Sequence, residues 1–171
     1  MSGGPGIRAT AMYRPLIPAF LAFAISAPVA AQTATATFNA DLGTIAKLSF
    51  STATLTFPDA DPDLVPQVPA AGGPVTITAK ARAAAGLVVL TVLANGPARS
   101  GVNTISADAF TWTASGGGFV GGTVSSTVPQ MVGSWTGSGI RTGAQTYAFR
   151  NSWKYAAGVY SLTLTYTLTA P

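Results

Sequence analysis

The chain has no cysteine, no histidine and no glutamate. Without cysteine there is no disulfide, so any fold must be held by its core alone. Without imidazole or thiolate there is no zinc set and no Ser-His-Asp or Cys-His arrangement. General acid–base chemistry usually draws on His or Glu, and only five aspartates remain. Three of these, Asp59, Asp61 and Asp63, lie in one Asp-Pro run, leaving Asp41 and Asp108 as an improbable glycosidase pair. The expectation is a protein that is not an enzyme. A dense basic patch is also missing. Over residues 32–171, Lys47, Lys80, Lys154, Arg82, Arg99, Arg141 and Arg150 stand against five aspartates, a balance of +2. That is too sparse to neutralise several phosphates, so no nucleic-acid partner is expected. No helical period and no fixed-length repeat is visible.

Residues 1–31 read as a targeting segment. Arg8 and Arg14 precede the apolar run "LIPAFLAFAISAPVA", and the small residues Val29-Ala30-Ala31 precede Gln32. This is the pattern of a Sec-type signal peptide removed after Ala31. The run is short and broken by Pro15, Pro18 and Pro28, which argues against a membrane anchor. The expected destination is the periplasm, the cell surface or the medium, with no membrane span in the mature form. Residues 32–171 are then a single domain, long enough to bury about two-thirds of its unfolded surface.

What is present is a period of two. In "YSLTLTYTLT", Tyr160, Leu162, Leu164, Tyr166 and Leu168 alternate with Ser161, Thr163, Thr165, Thr167 and Thr169. Such alternation is that of a half-buried antiparallel strand, and β-branched threonine suits its exposed face. "TATATF" at 33–38 repeats the pattern. Further strands are predicted at 44–50, 53–57, 75–82, 87–94, 109–114, 119–126, 130–135 and 145–150. Residues 87–94 (LVVLTVLA) are apolar on both faces, which predicts a central strand. Glycine and Asn-Gly-Pro punctuation separates these runs. The fold class expected is all-β: an antiparallel Ig-like or pilin-like β-sandwich of about 8–10 strands.

The stretch 58–74 contains five prolines, and proline fixes φ and removes a donor. It is predicted to be an extended connection crossing between two sheets. Asp59, Asp61 and Asp63 match the 1, 3, 5 spacing of calcium ligands, but Leu64 replaces the glycine at position 6 and Ala70 the glutamate at position 12. The reading is a stiff polar loop, with a weak calcium site at Asp59, Asp61 and Asp63 as the alternative; no other cofactor is expected. "GGGFVGG" contains G-x-G-x-x-G, but it is flanked by strands and reads as turn and bulge glycines, not a dinucleotide loop.

Aromatic residues crowd "YAFRNSWKYAAGVY". Phe149 and Tyr160 are read as core, with "AAGVY" as a tyrosine corner whose phenol bonds backwards to the backbone. Trp153 and Tyr155, with Trp135, are the candidates for a sugar-stacking platform. A tyrosine corner normally precedes one more strand in an Ig sandwich, and here only the corner strand follows. The expectation is a sheet edge open to strand addition, with "QTATATFNADLG" as the donor within its own domain or into a neighbour.

The end "AGVYSLTLTYTLTAP" resembles the closing strand of bacterial exported sandwich proteins of the WxL type. Trp112-Thr113-Ala114 stands where such a domain carries Trp-x-Leu, with Ala114 in place of Leu. The same end resembles fimbrial and spore-coat-U-like subunits, whose last strand opens with a glycine in the place of Gly158. The resemblance implies a cell-surface structural or assembly module, whose partners are other copies of itself or cell-surface components. The alternative is a secreted glycan or cell-wall binding module using exposed aromatics.

Overall fold

The structure, a computed structural model, describes residues 37–171. The expected signal peptide and residues 33–36 of the expected first strand lie outside the described residues. Residues 37–44 form no strand.

Eleven strands follow in chain order: β1 Ile45–Phe50, β2 Gln67–Pro69, β3 Val75–Arg82, β4 Leu87–Ala94, β5 Ala98–Ser100, β6 Asn103–Ile105, β7 Phe110–Ser115, β8 Gly122–Thr123, β9 Gln130–Thr136, β10 Gly139–Arg150 and β11 Leu164–Thr169. One 3-10 turn, Ala107–Ala109, precedes β7. Every pairing is antiparallel. The large sheet runs β1-β3-β10-β7-β8 with β2 also on β10, the small sheet runs β11-β4-β9, and β5-β6 is a separate hairpin.

Alternation builds the core. Val75, Ile77, Ala79 and Ala81 of β3 are buried, and so are Val88, Leu90, Val92 and Ala94 of β4. These two rows belong to one cluster with Trp112, Val132, Trp135 and Tyr147, so the two sheets face each other as a β-sandwich. As its composition requires, β4 is the central strand of its sheet.

Phe119 closes the core where two glycines approach it. A Cβ at Gly143 of β10 would lie 2.4 Å from the Phe119 ring, and one at Gly133 of β9 would lie 2.8 Å from the Gly118 carbonyl. The "GGGFVGG" segment is thus a turn followed by a plug. Its Gly122 lies against the Trp112 indole, where a Cβ would come within 2.6 Å, while Trp112 Nε1 donates to the Val120 carbonyl at 2.9 Å. Of the expected strand 119–126 only Gly122–Thr123 forms a strand; Phe119 adds an isolated bridge to Gly133.

Other expectations are corrected. The proline-rich connection does not cross between sheets: β1, β2 and β3 all belong to the large sheet. Within it, Val68 is 2 % exposed and pulls Gln67–Pro69 onto the end of β10. Proline is tolerated there because β2 pairs on one side only. Residues 53–57 form no strand; Thr56 makes one isolated bridge to Ala71. β10 begins at Gly139, six residues before its expected start. The hairpin β5-β6 was not expected; it turns through Gly101 at φ +57°.

Candidate functional site

The two layers do not close along one side. β1 is the last strand of the large sheet and β11 the last of the small sheet, and neither has a second partner among the described residues. Their register places Leu48 and Phe50 on the inward face with Ala79 and Ile77, and Leu164, Tyr166 and Leu168 inward with Ala94, Val92 and Leu90. These seam residues are less covered than their partners on β3 and β4: Phe50 is 37 % exposed while Ile77 is at 0 %. The Phe50 and Tyr166 rings meet across the seam at 4.8 Å.

Beside that contact is a cleft of about 540 Å³ lined by Phe50, Leu55, Phe57, Leu162, Leu164 and Tyr166, among others. Thr52, Thr54, Ser161 and Thr163 edge it with hydroxyls. The site is a largely apolar slot where β1 ends and β11 begins, beside the two strands that lack a second partner among the described residues. An exposed strand edge with an apolar pocket beside it is a geometry that suits an extended peptide.

A polar cluster lies inside the seam. Tyr147 Oη lies 2.7 Å and Tyr166 Oη 3.0 Å from Gln145 Oε1, and the two phenol oxygens also touch each other, so their two protons serve two of these three contacts. Gln145 is fully buried, and its Nε2 has no hydrogen-bond partner. Burial pushes the Tyr147 phenol far above the ordinary tyrosine range, with the Tyr166 charge adding to the rise. Burial also raises Tyr166, opposed by its bond to Tyr147. Both phenols stay neutral at physiological pH, so the cluster positions β10 against β11 and has no proton to exchange there.

The expected tyrosine-corner bond is present: Tyr160 Oη donates to the Ala156 carbonyl at 2.9 Å. Tyr160 and Phe149 pack against a second cluster of Ala98, Ile105 and Ala109, and Ser161 bridges to Arg99.

The two loops singled out in the sequence meet each other. Asn151 Nδ2 donates to the Ala60 carbonyl at 2.8 Å, the Asn151 amide to Pro66 at 2.9 Å, and Trp153 Nε1 to Asp63 Oδ1 at 3.1 Å. Asp61 caps its own turn, accepting from the Asp63 amide through Oδ1 and from Leu64 and Val65 through its carbonyl. Among the described residues no three acidic side chains lie together as a metal would require. Asp59, Asp61 and Asp63 are exposed, and the run forms a stiff turn docked on the 150–155 loop.

The three candidate aromatics are not one platform. Trp135 is inward on β9, 7 % exposed and 6.1 Å from the Phe119 ring, so it is removed from the surface set. Trp153 is 69 % exposed. Tyr155 is half-buried, 5.8 Å from Phe149, with Lys154 Nζ 5.5 Å over its ring. Beside Tyr155 is a polar depression of about 370 Å³ that also draws in Thr104, Ser106, Asp108, Arg150 and Lys154. Arg150 Nη2 is 3.6 Å from Asp108 Oδ2. The Ser106 hydrogen bond, followed by the Arg150 charge and hydrogen bond, holds the Asp108 carboxyl below the usual range against a partial desolvation. The sequence carried no signal for Asp108 or Ser106, because the 3-10 turn that presents them lies far along the chain from Tyr155.

Comparison with known protein families, with curated proteins and with solved structures finds no match.

Proposed function

We propose that this chain is an exported, non-catalytic surface module that works by strand addition at the seam between β1 and β11. The single observation that carries the reading is the apolar cleft of about 540 Å³ beside β1 and β11, neither of which has a second partner among the described residues. Main-chain groups on an open edge supply register-independent affinity, and apolar pockets beside it select alternate side chains of the incoming strand. Residues 32–42 (QTATATFNADL) carry that alternation, offering Ala34, Ala36 and Phe38 on one face. The donor is that segment, from the same chain or from a neighbour. The absence of His and Glu, and a Tyr pair held neutral, support a role without chemistry. The apolar run before residue 32 supports export.

Deleting 32–42 is expected to abolish either folding or the ladder of oligomers on size-exclusion chromatography. A deletion variant with unchanged melting and unchanged elution overturns the reading.

A second reading, glycan binding through Trp153 and Tyr155, is favoured by the polar depression at Tyr155, Arg150 and Asp108. Carbohydrate hydroxyls pair well with such a mixture of charged and hydroxyl groups, and an exposed indole adds an apolar face. A cell-wall pull-down in which Trp153→Ala and Arg150→Ala are both retained as well as wild type removes this reading.

A further inference from the structure

In a two-layer sandwich the outward side of each strand faces water and is normally polar. The small sheet departs from this. Opposite its buried row, β4 turns Leu87, Val89, Thr91 and Leu93 outward. Leu87 is 52 % exposed, and Met131 beside Thr91 on β9 is 49 % exposed. β11 contributes Thr165, Thr167 and Thr169, and β9 contributes Ser134 and Thr136. None of the three strands contains a charged residue.

We infer that this outward face is an interface for the same face of a second copy of the chain, packed sheet on sheet about a twofold axis. Two features of the face select that occupant. A partner bearing charges would bury them where nothing on this face can pair them, so the partner surface must itself be uncharged. The outer face of the large sheet is not, since Lys47, Lys80 and Arg82 share it. Relief is the second feature. A ridge of Leu87, Val89 and Leu93 runs along the central strand beside the threonine row Thr165, Thr167 and Thr169 of β11, so the ridge of one copy fits the shallow threonine row of the other at ordinary sheet-packing distance. A self-complementary patch of this kind closes as a dimer. The interface is separate from strand addition at the seam, which propagates from one chain to the next.

The test is analytical ultracentrifugation of the purified protein across a concentration series. The probes are Thr136→Lys, at an exposed outward position of β9 away from the β1–β11 seam, and Thr78→Lys, on the outer face of the large sheet. Both sites are strand positions where a hydrated lysine leaves a monomer folded, which the thermal melt checks. Wild type and Thr78→Lys are expected to double in mass with a common dissociation constant. Thr136→Lys is expected to weaken that doubling by roughly a hundredfold, the effect of burying an unpaired charge from each copy. If Thr136→Lys melts below wild type, Thr136→Glu and Thr136→Val form the comparison, and only the charged variant is expected to dissociate. A wild-type protein that never doubles, or two lysine variants that behave alike, overturns the inference. Loss of a ladder on deleting 32–42 with the doubling retained refutes strand addition alone; a ladder built from single units, indifferent to Thr136→Lys, refutes this interface alone.

Discussion

The two sheets of the sandwich share a core but differ in how they meet water. The strands of the large sheet carry Lys47, Lys80, Arg82, Arg141 and Arg150. Those of the small sheet carry no charge, and the central one is apolar on both sides. An exposed like-charge row costs a little stability and deters edge-to-edge association. A neutral row of threonine and leucine does neither. The contrast puts a charged outer face and a neutral one around a single hydrophobic cluster.

The comparison breaks most sharply at the plug that joins the layers. Phe119→Ala empties a site pressed between Gly133 and Gly143, one from each sheet. The expected loss is about 3–5 kcal/mol in urea unfolding, with a single transition for both sheets. Two separated transitions would show that the layers fold independently. A smaller effect is expected at the seam. The Tyr147 and Tyr166 phenols are both raised above the ordinary tyrosine value of 10.0. Below about pH 10 their contribution is present in full; above it the unfolded chain releases protons that the folded chain retains, and stability falls as pH rises. The Tm is therefore expected to drop as pH rises above about 10, and Tyr147→Phe should flatten that drop while costing about 1 kcal/mol at neutral pH. An unchanged slope in the variant would place the alkaline titration elsewhere.

The smallest effect concerns the charged face itself. Lys47 and Lys80 are direct cross-strand neighbours on exposed positions. Lys47→Thr is expected to stabilise by about 0.2–1 kcal/mol at low salt, with the gain shrinking as salt is added. A gain indifferent to salt would trace to threonine's strand propensity.

Where the period of two ran unbroken, the strands were legible to the residue. β3 and β4 coincide with the predicted 75–82 and 87–94, and the two-sided composition of β4 placed it centrally. Where three-residue strands are held by a single buried anchor, as β2 is by Val68 and β6 by Ile105, no local pattern exists to be read. Trp135 was legible and missed: its neighbours Ser134 and Thr136 are hydroxyl residues, so alternation alone turns the indole inward. The bulge that inserts Val132 beside Gly133 interrupts that rhythm just before it. For the candidate site, the tyrosine-corner bond and the open edge of the last strand were visible in the sequence. The Tyr147–Gln145–Tyr166 cluster was not, since it joins residues of two sheets that only tertiary packing brings together.

β10 pairs with β2, β3 and β7, all of which precede it in the chain, and Gln145 finds Val75 across seventy positions. The middle of the large sheet therefore has no ladder until residues 139–150 are available. Such long loop closures are slow. Before β10 arrives, β1 with β3 and β7 with β8 can form only two separate ladders, so a stretch of twelve residues welds two independent pieces into one sheet.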